Sequence, residues 1–438
     1  MASLEITDQR GDRQEAADRL RAVRPDRGEV PAFIFADPDV YRLELERIFT
    51  RCWLFVAHES EIPSPGDYVT RSMGEHPVIV ARDEDGAIRV LLNVCRHRGM
   101  RICRVDLGNT SHFRCPYHGF TYKNTGELIG VPFERELYGD ALVKERLGLI
   151  RARVESYAGL VFATWDEQAE PLQQYLGPVT WYLDLLAGRA EMEAVGPPHR
   201  YEVATNWKLP AENFAADAYH TMHTHASIAE IGLTPTVTWA KDGYHVCAGN
   251  GHGVMIGAPT RRFIFAEDLI PEFERHLSPA QMAVLRQMAH MPGTVFPNFS
   301  FLISAVTLNG RFVSHTELML WQPKGPDRID ACSWFLVEKR APAWWKELSR
   351  QAFVVTFGPS GMLSQDDSEN FTQIARNARG PVAGRLALNY EMGLGRTPMR
   401  DFPGPGQVYE GKYNEANARA FYARWLELMR DGDPRPDA

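Results

Sequence analysis

Cysteine is scarce in this chain: Cys52, Cys95, Cys103, Cys115, Cys247 and Cys332 are the six among 438 residues. So few thiols at this length make no disulfide framework, so a reducing, cytoplasmic setting is expected. Long apolar runs are missing too. No window reaches the roughly 18 uninterrupted apolar residues of a membrane-spanning helix, and the opening residues, MASLEITDQRGDRQEAADRLR, lack the apolar core of a targeting signal. Positive charge is not in excess. Lys and Arg number 48 against 56 Asp and Glu, a net charge of −8, which argues against a nucleic-acid partner. The dinucleotide fingerprint is incomplete. Gly249-Asn-Gly251-His-Gly253 runs into Val254 where a third glycine belongs, and Gly393-Leu-Gly395 leads only to Pro398, so no nicotinamide cofactor is expected here.

What remains is an ordinary globular balance, 44% apolar and 24% charged, at a length that calls for two domains. Residues 1 to about 30 are polar and read as frayed or draped over a neighbour. Asp37-Pro38 then reads as the cap and first residue of a helix carrying Tyr41, Leu45, Ile48 and Phe49. From Trp53 the period becomes that of strands. Runs 78–82 and 88–94 flank a turn at 83–86, and a further strand covers 159–165, so residues 50–166 read as a small all-β module. Pro171 opens a helix with Leu172, Leu176 and Tyr182, and another is expected from Glu212 to about Tyr219. Strands at 300–307 and 311–322 meet at Asn309-Gly310, a third follows at 328–338, and helices at 342–356, 365–378 and 415–429 close the chain, the last capped by Asn414. The second region is therefore α+β, an antiparallel sheet with helices against one side. The expected division is 1–49 as a segment packing on the second domain, 50–166, and 167–438.

Two clusters of chemistry-bearing residues stand out. The first is Cys95-Arg-His97 and, seventeen residues on, Cys115-Pro-Tyr-His118. Thiolate plus imidazole suits zinc or an iron–sulfur cluster. The one-residue gap in Cys-x-His is cramped for a single tetrahedral ion. It suits two metals better, each loop giving a thiolate to one iron and an imidazole to the other, as in a Rieske [2Fe–2S] centre. A structural zinc site is the alternative, and visible absorbance separates the two. Cys103 reads as a buried apolar cysteine and His112 as a surface residue.

The second cluster is Asn213, Asp217, His220, His223 and His225. On an unbroken helix Asn213, Asp217 and His220 line one stripe, and spacing pairs His220 with His223, whereas His225 points elsewhere. A carboxylate for a facial triad on Fe(II) is available at Asp366-Asp367. Taken alone, that segment reads as a helix start capped by Ser364 with acids in its first turn.

The runs NVCRHRGMRIC and CPYHGFTY, with the 206–225 and 357–370 segments, resemble the large subunits of the Rieske non-haem iron ring-hydroxylating oxygenases. The likeness extends from the Asp37-Pro38 helix to Gly395 and is nearest to subunits acting on aromatic hydrocarbons and aromatic acids. It implies a Rieske β domain and a helix-grip catalytic domain. Cys95, His97, Cys115 and His118 would hold the [2Fe–2S] cluster, and His220, His225 and Asp367 a mononuclear Fe2+. That choice of histidines requires the helix to unwind between Thr221 and His225. Asp217 would join the metals by bonding His220 and the neighbouring subunit's cluster ligand at position 118; Asn213 joins it as a catalytic residue. Phe214, Asn298, Phe357 and Leu363, with Asn213, are the implied pocket, although Phe357 and Leu363 read equally as core. The implied reaction is cis-dihydroxylation of an aromatic ring by O2, with electrons from a ferredoxin and reductase and a small β subunit in an α3β3 assembly. Ring monooxygenation of salicylate-like acids is the alternative on the same scaffold.

Overall fold

The computed structural model describes residues 19–234, 241–260 and 262–430. They divide into two compact units, one running from Phe49 to Tyr175, the other holding the residues up to Ile48 and those from Leu176 on.

In the first unit seven strands run antiparallel in the order Leu54–His58, Leu160–Thr164, Arg151–Tyr157, Ile88–Leu92, His76–Arg82, Asp67–Met73, Leu107–Asn109. A smaller sheet joins His112–Arg114, Thr121–Lys123 and Leu128–Gly130. The expected hairpin is present, with Arg82 opposite Ile88. Asp83 closes its turn by accepting from the Asp85 and Ala87 amides, and Gly86 supplies the positive φ. The second strand ends at Leu92, two residues early, because Asn93 turns inward: its Oδ1 accepts from the Ile102 and Cys103 amides and its Nδ2 donates to the Cys103 carbonyl. Cys103 is buried and His112 exposed. The unit extends past the expected end at 166. Arg153 donates to the Glu167 and Ala169 carbonyls, Trp53 Nε1 to that of Glu170, and the Glu155 carboxylate accepts from the Leu172 amide.

The second unit is built on a nine-stranded sheet. Its path runs Met192–Ala194, Ile329–Glu338, Arg311–Pro323, Phe299–Leu308, Met291–Val295, Gly253–Gly257, Gly243–Cys247, Gln407–Glu410, and His199–Val203 also pairs with Ile329–Glu338. Every pairing is antiparallel. The long central hairpin turns at Asn309 and Gly310, both at positive φ, as a two-residue hairpin loop demands. Helices Lys208–Ala216, Ala343–Phe357, Met362–Ala378 and Ala416–Arg430 belong to this unit. Of the residues expected to be frayed or draped over a neighbour, 1–18 lie outside the described ones, and Leu20, Val23 and Val30 are buried while Glu29–Pro31 pairs with Ala387–Asn389. Helix Pro38–Arg47, capped by Asp37 as expected, fixes this segment to the unit. Its buried Glu44 accepts from Trp207 Nε1, Trp425 Nε1 and Lys208 Nζ, so the buried carboxylate is hydrogen-bonded on both oxygens.

One expected helix differs. The segment from Glu212 to Tyr219 is not a single helix: Lys208–Ala216 stops at Asp217 (φ −100°, ψ 75°). The Asp217 carboxylate accepts from the amides of Tyr219 and His220, an Asx turn that competes with helix continuation. A short turn, Thr221–Thr224, follows, and His225 breaks it again. The stripe of Asn213, Asp217 and His220 therefore does not lie on one helix. The break that redirects the histidines falls before Thr221 as well as at His225.

Candidate metal centres and the cavity beside them

In the first unit the two Cys/His loops are copies of one turn. The Cys95 amide donates to the Met100 carbonyl and the Gly99 amide to the Cys95 carbonyl; the Cys115 amide likewise donates to Phe120 and the Gly119 amide to Cys115. Gly99 (φ 70°) and Gly119 (φ 73°) occupy the left-handed position that closes each turn. This brings the His97 and His118 rings to 4.6 Å centroid separation. Cys95 and Cys115 are buried beside one another, and burial together with that proximity pushes the Cys115 thiol up. Burial and neighbouring positive charge hold His97 below the usual imidazole range, and its Nδ1 is buried with no hydrogen-bond partner. Two facing imidazoles and two adjacent thiols without a disulfide fit the donor set of a cluster with two Cys and two His.

In the second unit His220 Nε2, His225 Nε2 and Asp367 Oδ1 form a near-equilateral triangle. The distances are 3.2 Å between the nitrogens, 3.3 Å from His220 to Asp367 and 3.2 Å from His225 to Asp367. Donor atoms ~2.1 Å from one ion stand about 3.0 Å apart at right angles and about 3.4 Å apart at tetrahedral angles, so the triangle fits a single cation. Both rings are oriented for that role. The Nδ1–H of His220 donates to the Asp217 carbonyl and that of His225 to Asp366 Oδ2 at 3.2 Å, which leaves each Nε2 for the metal. Burial opposes a charge on His220, yet the Asp217 and Asp367 carboxylates raise its pKa to about 10. Against burial, hydrogen bonds and charge from His220 and His225 hold Asp367 well below the usual carboxylate range. The site is thus built for a positive guest.

His223, which helical spacing favoured, is exposed and outside the triangle. Asp367 lies on Met362–Ala378, whose cap is Gly361 rather than Ser364. That start, three residues earlier than expected, puts Asp367 beyond the first turn and in the interior, where an acid as a mere dipole partner has no place. Asp366 was passed over in the sequence, although an acid beside a ligand acid was the available signal. Its bond to His225 predicts that Asp366→Asn lowers iron affinity about 10- to 100-fold, measured by chelator competition, while the [2Fe–2S] absorbance stays unchanged.

The triangle faces a cavity of about 690 Å3, its open mouth included. Asn213, Phe214, Phe357 and Leu363 line it, with the Asn213 amide 3.3 Å from His220 Nδ1. Asn298 does not. Its Nδ2 donates to the Trp321 carbonyl and its own carbonyl accepts from the Trp321 amide, so it pins the turn before Phe299–Leu308 away from the cavity. Unforeseen lining residues include Ile228, Met255, Pro292, Leu302 and Ser304. Pro292 stands opposite Leu302 in the strand register, a long-range pairing that local periodicity cannot reveal. Helix Lys208–Ala216 is held over this wall by Thr294 Oγ1 donating to the Ala211 carbonyl and Asn417 Nδ2 to that of Ala215, the latter a carbonyl the helix end leaves open. Gly253 permits the approach, since a Cβ there would lie 2.8 Å from the Ala215 oxygen.

A cluster-type Cys/His fold and a separate 2-His-1-carboxylate site in one chain define a two-centre iron oxidoreductase. The comparisons agree. Residues 52–157 match the Rieske [2Fe-2S] domain, and residues 191–431 match the ring hydroxylating alpha subunit catalytic domain. The chlorobenzene dioxygenase alpha subunit of Cupriavidus sp. is 38% identical, with 93% of this chain and 92% of the relative covered. The N,N-dimethyl phenylurea N-demethylase alpha subunit of Sphingobium sp. is 36% identical over 92% of each chain. The crystal structure of naphthalene 1,2-dioxygenase from Rhodococcus sp., bound to indole, superposes with a TM-score of 0.90 at 43% identity, covering 98% of this chain and 99% of that one. The chain belongs to the ring-hydroxylating oxygenase alpha-subunit family, whose members carry a Rieske cluster and a mononuclear iron.

Proposed function

We propose that this chain is a terminal oxygenase subunit that adds both atoms of O2 to one face of an uncharged aromatic ring, giving a cis-dihydrodiol. The observation that carries the reading is the His220, His225 and Asp367 triangle opening onto a largely apolar cavity. The bound Fe2+ supplies open positions for O2, and the [2Fe–2S] cluster supplies electrons singly. The chain's own residues do the remainder. Phe214, Leu302, Phe357 and Leu363 take the ring out of water. The Asp217 carbonyl and the Asp366 carboxylate fix the two imidazoles. Cys95, Cys115, His97 and His118 would hold the cluster. Asp217 links His220 to His118 of a neighbouring subunit, and Asn213 acts beside it. Phe49–Tyr175 is the electron-receiving domain, and the residues up to Ile48 complete the catalytic one. A ferredoxin and reductase deliver the electrons; a small β subunit completes an α3β3 assembly in the cytoplasm.

A salicylate-type monooxygenase would need a cation for the substrate carboxylate, and among the described residues no Lys or Arg lines the cavity. The test is turnover under 18O2 with reconstituted electron donors on benzene, biphenyl and naphthalene. Two labelled oxygens per product are expected. One label, or turnover confined to aryl carboxylates, overturns the reading.

A further inference from the structure

The cavity has a second polar feature, separate from the metal triangle. Thr234, His290 and Ser304 also line it. Thr234 Oγ1 and His290 Nδ1 are buried and have no hydrogen-bond partner. Met291 stands opposite Ile303 in the antiparallel register, so one step further along the ladder places His290 opposite Ser304. The three side chains line the same cavity as the apolar Ile228, Met255, Pro292 and Leu302.

Buried polar groups are almost always hydrogen-bonded, and leaving one unpaired is costly. Two such groups lining one cavity point to a partner that enters with the ligand. The His290 ring is also seated with care. It lies against Gly257, where a Cβ would come within 2.2 Å of its Cε1, so the strand carries a glycine where the imidazole needs room. Burial, aided by the Lys412 charge, keeps this imidazole neutral, so it presents one N–H donor and one ring-nitrogen acceptor. Among the described residues no Lys or Arg lines the cavity to pair with an anionic substituent.

We infer that Thr234, His290 and Ser304 form a subsite for an uncharged hydrogen-bonding group on the aromatic substrate, such as a ring N–H, a hydroxyl or a nitro group. The inference rests on the ring-hydroxylation reading and narrows its substrate class. The apolar wall takes the ring and the polar corner takes the substituent, which fixes which ring edge faces the iron. A site built to hydrogen-bond a ligand disfavours the isostere that leaves its own groups unpaired.

The test uses pairs of equal size that differ in the polar group: indole against indene, phenol against toluene, nitrobenzene against isopropylbenzene. Dissociation constants are measured for the reduced holoenzyme without O2, and product regiochemistry with O2. At least one pair should show about tenfold tighter binding of the polar member, the worth of one or two hydrogen bonds. His290→Leu should bring that ratio to near one and scramble regiochemistry. Ser304→Ala, a small truncation, should lower the ratio in part and keeps the test alive if His290→Leu does not fold. No preference in any pair, or equal losses for both members of a pair in the variants, overturns the subsite; that is the result expected if ordered water alone satisfies these groups. Failure of ring hydroxylation itself would appear separately, as absence of doubly labelled product from every compound while the binding ratios remain readable.

Discussion

Asp367→Ala is expected to take the protein from about three irons per chain to about two, with the visible absorption of the cluster unchanged and ring oxidation abolished. The reason is electrostatic as much as geometric. Among the three donors that converge within hydrogen-bonding distance, Asp367 is the only one bearing negative charge, and it is buried with a side-chain exposure of 7%. Two imidazoles held at 3.2 Å still offer a chelate without it, but the pocket no longer carries the charge that compensates a desolvated dication. Iron analysis and the cluster spectrum read the two centres independently. His223→Ala serves as the control, because that exposed imidazole lies outside the triangle and its loss should leave three irons. Retention of the third iron in Asp367→Ala, or its loss in His223→Ala, would place the mononuclear site elsewhere.

The two centres were not equally legible. The cluster site is local: each Cys-x-His or Cys-x-x-His lies on one tight turn, and the Gly99 and Gly119 positions that close the turns are in the motif itself. The mononuclear site is assembled from segments about 140 residues apart, and its histidine pair contradicts helical spacing. Periodicity favours His223, and only likeness to a family favoured His225. The physical cause is Asp217, whose carboxylate captures the next amides and ends the helix. An Asp two and three residues before those amides was visible as a turn former, but nothing nearby showed that the turn would win over continuation of the helix. The sheet was readable at the Asn309-Gly310 hairpin because two positive-φ residues announce it. The cavity wall was not, since Pro292, Leu302 and Ser304 meet only through inter-strand register. Asn298 was misplaced for the same reason: its partner, Trp321, is fixed by that register.

The same turn makes Asp217 the most informative substitution outside the ligands. One carboxylate oxygen is committed to the Tyr219 and His220 amides, the residue's carbonyl holds the His220 ring, and the second oxygen stands 3.6 Å from His220 Nδ1. The side chain is nevertheless 46% exposed. Desolvation works against ionisation here, yet hydrogen bonds and charge from His220 keep the carboxyl below its usual range, so it is anionic at neutral pH. A residue that braces a ligand histidine and still shows a charged oxygen at the surface suits a bridge to an imidazole arriving from another chain. Asp217→Asn separates these duties. The amide oxygen can still accept the two backbone N–H bonds, so the turn and the ligand geometry should persist and both metals should stay bound. The charge and one acceptor are lost, and steady-state turnover should fall by about 100-fold, at the upper end of what a lost partner of a metal-bound histidine costs. In single-turnover experiments with pre-reduced protein, substrate and O2, cluster reoxidation should slow by the same factor, while reduction of the cluster by its donor keeps its rate. Alanine at this position is the less discriminating change, because it also removes the turn, worth about 0.5–2 kcal/mol. Full turnover in Asp217→Asn would remove this side chain from the path between the centres, and loss of iron in that variant would show that its role is to hold His220 and nothing more.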